Sequence, residues 1–225
     1  MKHVVLIVLI LAVAACGRSR RKCSRLGERL YEYSSKLTIT EEVLENSREI
    51  VERIPDGCED DLIIEINEEE RNVGSVVRLF GRICQKSSEP QAAVYLLEYR
   101  LEHWESADEE FSLAVERVFV SKPKATMEFI RKQRDSVKIQ LLNDIVWGFL
   151  SNRVYGPKDP YENQPRRQFR DITDIPKEVL NRHNYRQIFY KLHEDMPRIV
   201  REYKKEISYI LDEVDTYLNT WGVEY

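Results

Sequence analysis

The sequence predicts an all-α protein, an irregular array of antiparallel helical hairpins, solenoid-like or bundled, ending in a long C-terminal helix. Three observations carry this. Glycine is scarce, at eight of 225 residues, so few positions favour a break in a helix. The eight prolines fall between apolar-periodic segments, where helices start or stop. Apolar residues recur at steps of three and four along most of the chain, the period of a helix with one buried face.

The elements follow in order. Leu26, Leu30, Tyr33 and Leu37 form a first stripe. Thr38 and Glu41 read as a capping box opening a second helix, which carries Val43, Ile50, Val51 and Ile54 and stops before Pro55-Asp56-Gly57. Asp61–Asn67, "DLIIEIN", is the one stretch that could be a strand, and its period leaves strand and helix both open. Val73, Val76, Val77, Phe80 and Cys84 return to helical spacing. Pro90 starts a helix bearing Ala93, Leu97, Leu101 and Trp104.

Ser106 and Glu109 form a second capping box, leading into Phe111, Ala114, Val115, Val118 and Phe119. Pro123 stands near the start of a short helix with Met127 and Ile130. Leu142, Ile145, Val146, Phe149 and Leu150 repeat the five-point amphipathic pattern. Val200, Tyr203, Ile207, Ile210, Val214, Tyr217 and Trp221 alternate steps of three and four, a heptad seam. Leu211 and Leu218 widen it, which favours a helix packed on its own domain over a free coiled coil. Gly222 stands where a C′ residue ends a helix.

Between Val154 and Asp174 the pattern breaks. "VYGPKDPYENQPRRQFRDITD" has three prolines and no apolar period. A loop of this length inside a compact domain is either functional or disordered. Basic and aromatic residues interleave in it, and Tyr161, Arg166, Arg167 and Phe169 are the candidate partner-binding residues, because Tyr and Arg are enriched at binding hot spots. The expected organisation is residues 1–15 as a leader, 16–23 as a basic tether and 24–153 as a helical-hairpin domain. The 154–174 loop follows, then a C-terminal helical pair over 175–225 packed on the same domain. No self-similarity at a fixed period appears, which argues against a regular repeat family.

The leader has Lys2 and the amino terminus, an apolar run Val4–Ala15, then small residues. Twelve apolar residues rise roughly 18 Å, short of the ~30 Å hydrocarbon core. Val13-Ala14-Ala15-Cys16 resembles the lipobox of bacterial lipoproteins. The resemblance covers about sixteen residues and implies cleavage before Cys16, diacylglyceryl attachment to its sulfur and acylation of the new amine. It implies a membrane as one partner. Gly17 and Arg18 differ from the Asp that retains proteobacterial lipoproteins in the inner membrane, and no acidic surface-export run follows. The outer membrane facing the periplasm is the expected location. Arg18, Arg20, Arg21 and Lys22 follow the apolar run, an arrangement that positive-inside logic disfavours for export. They could instead meet anionic headgroups or form a solvated tether.

The mature chain would keep 34 bases and 39 acids, a balance of −5 that, with the export signal, argues against nucleic-acid binding. Glu41–Glu70 holds thirteen acids against Arg48 and Arg53, whereas Ser151–Arg186 holds eight bases against five acids. With Cys16 acylated, Cys58 and Cys84 are the better candidates for a disulfide, because Cys23 lies on the tether; both remaining reduced and partly buried is the alternative.

Catalytic signatures are missing: there is no G-x-S-x-G, H-E-x-x-H, G-x-x-x-x-G-K-[ST] or C-x-x-C. His103, His183 and His193 have no second His at i+3 or i+4, so no metal and no cofactor is expected. "DGCEDDLIIE" has alternating acids, but its Gly is second rather than sixth and its twelfth residue is Asn67, which excludes an EF-hand loop. Two functions remain. One is a lipid-anchored, non-catalytic helical protein that binds a protein or envelope component, an immunity protein being one version. The other is an envelope hydrolase or transferase using carboxylates as general acid and base.

Overall fold

The computed structural model describes residues 23–54, 62–66, 69–103, 109–151 and 185–220. Its fold is all-α in class, with one short two-stranded ribbon among the described residues. The chain divides into two units, Met1–Glu89 and Pro90–Tyr225. The boundary falls between Glu89 and Pro90, inside the stretch 24–153.

The first unit contains α1 (23–35), α2 (Glu41–Glu52), β1 (Ile63–Ile66), β2 (Glu69–Asn72) and α3 (Val76–Lys86). Helix α1 buries Leu30 and Ser34 but ends at residue 35, so Leu37 leaves the expected stripe and stands 97% exposed. Ile39 is buried in its place and bridges Ser87 in parallel. That bridge keeps the chain extended into Thr40, whose hydroxyl accepts from the Val43 N–H at 3.3 Å. Thr40, and not Thr38, caps α2. Helix α2 packs on α3 through Leu44, Ser47, Ile50 and Val51, facing Val76, Leu79, Phe80 and Ile83.

"DLIIEIN" resolves as strand: Ile63–Ile66 pairs antiparallel with Glu69–Asn72, Ile63 opposite Asn72 and Ile66 opposite Glu69. The pairing continues to buried Leu62, which donates to the Gly74 carbonyl at 3.0 Å and accepts from the Val73 N–H at 2.9 Å. Gly74 then turns the chain at φ +96°, a conformation L side chains rarely adopt. Ser75 follows as the N-cap of α3, its hydroxyl accepting from the Arg78 N–H at 3.1 Å. Val73 lies before this helix and not on it.

The second unit contains α4 (Gln91–Glu102), α5 (Glu109–Ser121), α6 (Pro123–Arg131), α7 (Asp135–Phe149), α8 (Tyr185–Tyr190), α9 (Met196–Glu202) and α10 (Lys204–Thr220). Pro90 caps α4, and Pro123 opens α6 at a position where its missing N–H costs nothing. Trp104 and Ser106 lie outside the described residues. Phe111, Ala114, Val115, Val118 and Phe119 are all buried, as are Leu142, Ile145, Val146, Phe149 and Leu150. Helices α5 and α7 form the most extensive helix pair, and α10 lies against α7. One core joins Leu97, Phe119, Ile130, Ile145, Phe189 and Ile210, so α8–α10 share the interior of α4–α7.

The long C-terminal helix is present as α10, but the heptad seam from Val200 runs over two helices. Tyr203 leaves helical geometry at φ −117°, ψ 41° and separates α9 from α10. Arg131 lies over the Tyr203 ring at 4.0 Å and donates through Nη2 to the Glu202 carbonyl at 2.7 Å. A side chain from α6 thus takes a C-terminal carbonyl of α9, as capping requires. The seam resumes with Ile207, Ile210, Val214 and Leu218 buried, while Trp221 and Gly222 lie outside the described residues.

Candidate functional site

Tyr161, Arg166, Arg167 and Phe169 lie outside the described residues, as do Cys16 and Cys58. The described chain resumes at α8. Tyr185 and Phe189 are buried, and the Phe189 ring sits 5.9 Å from Phe119 and 5.6 Å from Phe149. At the rim, the Tyr185 hydroxyl and the Arg186 Nη2 both donate to Asp215 of α10, and Arg186 Nε donates to the Tyr185 oxygen at 2.8 Å. Burial first, then the hydrogen bond to Asp215, push the Tyr185 phenol above its usual range. It therefore remains a protonated donor at any physiological pH. This network holds α8 on α10.

A buried ion pair stands in the second unit, and in the sequence it shows only as two oddities. Asp144 sits in "LLNDIVWGF", and Arg100 in "VYLLEYRLE", each a charge within an apolar stretch. In the fold they meet. Arg100 Nε donates to Asp144 Oδ2 at 2.9 Å, and Ser112 Oγ donates to Asp144 Oδ1 at 3.1 Å. Arg100 Nη1 also donates to the His103 carbonyl at 3.1 Å, and its guanidinium lies 4.9 Å from the Phe111 ring centre. Arg100, Ser112, Glu116 and Asp144 are all buried. Chemically this arrangement is a pin: the carboxylate's oxygens are engaged by a guanidinium and a hydroxyl, and α4, α5 and α7 are tied together by it.

The two histidines among the described residues serve locally, and His183 lies outside them. His193 Nδ1 accepts from the Asp195 N–H at 3.1 Å, and His103 Nδ1 lies 2.9 Å from the Tyr99 carbonyl. Among the described residues no three His, Cys, Asp or Glu side chains gather as a metal site requires.

The cysteines depart from expectation. Cys84 remains a thiol, fully buried on the core face of α3, so it forms no bridge with Cys58. Cys23 is disulfide-bonded. It lies in the first turn of α1 and not on a free tether, and its partner lies outside the described residues. Four cysteines in all leave Cys16 and Cys58 as the two choices.

At the other end of α1, Lys86 Nζ donates to the Ser34 carbonyl at 2.7 Å and the Lys36 carbonyl at 3.1 Å. The amine of α3 thus caps the C-terminus of α1 and fixes the turn that displays Leu37. No helix among the described residues is long and apolar enough to cross a membrane. Comparison with protein-family models, with curated proteins and with solved structures finds no match for this chain.

Proposed function

We propose that this chain is a lipid-anchored, extracytoplasmic helical protein that works without catalysis, by binding a protein or another component of the cell envelope. The observation that carries the reading is Val13-Ala14-Ala15-Cys16 at the end of a short apolar leader. The disulfide at Cys23 supports it, because such bonds persist in oxidising compartments and are rare in the cytoplasm. Two or three acyl chains at Cys16 suffice for stable attachment. An outer-membrane position facing the periplasm fits the absence of an Asp after Cys16. The binding surface proposed on this reading is the 154–174 loop with Tyr161, Arg166, Arg167 and Phe169; an immunity protein against an envelope-directed toxin is one form such a binder takes.

The anchor is tested by metabolic labelling. In bacteria fed labelled palmitate, the parent protein is expected to take up label and to fractionate with membranes, and Cys16→Ser to do neither. Equal labelling of the two proteins would end the reading.

A further inference from the structure

The outer face of α1 and the turn that follows it have no role in the core. Arg25, Arg29 and Lys36 are exposed along one side, with Glu32 among them. Lys36 lies 4.9 Å from the Tyr33 ring centre, and Arg29 Nη2 donates to the Tyr33 hydroxyl at 3.4 Å, so one tyrosine positions both bases. Beyond them stands Leu37, the most exposed large apolar residue described, on a turn fixed by Lys86 from one side and by buried Ile39 from the other. Lys86 and buried Ile39 thus hold Leu37 in one fixed, exposed place, where an apolar surface can receive it.

Charge and tether length identify what covers it. Residues 16–36 carry seven bases and two acids, whereas residues 37–89 carry six bases and fourteen acids. The first segment is +5 and the second −8, so an anionic surface attracts one and repels the other. Cys16 lies seven residues before Cys23, and seven residues span at most about 25 Å. Helix α1 itself, at thirteen residues, is roughly 20 Å long. An acyl group on Cys16 therefore holds the start of α1 within about 25 Å of the bilayer, close enough for the helix to reach the headgroups.

We propose that the Arg25–Arg29–Lys36 face and the Leu37 tip dock on an anionic phospholipid bilayer, with the bases at the headgroups and Leu37 at the acyl boundary. Helix α1 then lies along the membrane and turns the acidic remainder of its unit outward. The geometry rests on the anchored reading, but the surface has its own test, in which no lipid is attached to the protein.

The mature chain from residue 16, carrying Cys16→Ser, is mixed with phosphatidylglycerol–phosphatidylcholine vesicles and with pure phosphatidylcholine vesicles, and bound protein is measured by co-sedimentation. The parent is expected to favour the anionic vesicles by about tenfold or more and to lose that preference in high salt. Arg25→Gln/Arg29→Gln/Lys36→Gln is expected to weaken anionic binding by about tenfold, and Leu37→Ser by about fivefold. All four positions are exposed, so melting temperatures should match the parent's and exclude misfolding. No preference for anionic vesicles would overturn the proposal. So would parental binding by both variants, which would assign the contact to Arg18–Lys22 alone. Palmitate labelling, done separately, reports on the anchor whatever the vesicles show.

Discussion

Asp144→Ala is expected to lower the melting temperature by about 10 °C. The Arg100 and Asp144 side chains are only 5% and 8% exposed, so the substitution takes the counter-ion from a buried guanidinium. Breaking a buried pair by removing one partner costs about 3–5 kcal/mol. For a chain of this length each kcal/mol moves the midpoint by about 2–4 °C. The same change leaves Ser112 Oγ without the acceptor it uses at 3.1 Å. A second measurement separates charge from packing. Arg100→Met/Asp144→Leu removes both ions together and should recover much of the loss, because a buried pair replaced by apolar residues is often neutral. Thermal denaturation followed by circular dichroism checks both. An unchanged midpoint for Asp144→Ala would mean that this pair is not buried between α4 and α7.

Gly148→Ala should be nearly as damaging, and its sign is diagnostic. In an exposed helix, alanine in place of glycine gains about 1 kcal/mol. Here a Cβ on residue 148 would stand 2.2 Å from the Ser112 carbonyl oxygen and 2.5 Å from the Glu116 Cβ. The first obstacle is backbone and cannot swing aside, so α5 and α7 must separate. Overpacking of this kind costs about 1–3 kcal/mol, and more where backbone must move. Gly148→Ala is expected to lose about 3 kcal/mol in urea denaturation. A stabilised variant would show that the α5–α7 crossing is wider than described.

Both predictions concern a crossing that the sequence announced in part. The stripes Phe111–Phe119 and Leu142–Leu150 were legible because five apolar residues at helical spacing have few other uses, and all ten are buried. Asp144 and Gly148 share the buried side of α7 with Leu141 and Ile145, at steps of three and four. A charge and a glycine at those steps are the signal that a partner helix approaches closely and brings a counter-ion. Neither the partner nor the distance can be read from one helix, because pairing across 44 residues is a property of the fold.

The errors have local causes. Leu37 continues the apolar spacing of α1, but a helix ends where its carbonyls find another donor, and that donor, Lys86, is fifty residues away. Thr38 has the Glu three residues on that a capping box needs and Thr40 has Val43 there, yet the Ile39–Ser87 bridge keeps the chain extended past Thr38 and leaves the cap to Thr40. The heptad from Val200 to Tyr217 continues across Tyr203 because the side chains keep one face while the backbone breaks beneath them. The strand Ile63–Ile66 is four residues long, too short for its period to exclude a helix. Elimination makes Cys84 a bridge candidate, and its place on the core face of α3 gives it to packing instead. The candidate loop residues Tyr161, Arg166, Arg167 and Phe169 rest on composition alone.

The central claim, a chain anchored through Cys16, makes a demand on the disulfide. A thioether to lipid consumes the Cys16 sulfur, and Cys84 is a thiol, so Cys23 must then pair with Cys58. Peptide mapping of the protein extracted from bacterial membranes, without reduction, tests this in one measurement. The expected map has an N-terminal peptide beginning at Cys16 and heavier by a diacylglyceryl group, and a Cys23 peptide joined to the Cys58 peptide. An unmodified Cys16, or a Cys16 joined to Cys23, would contradict it.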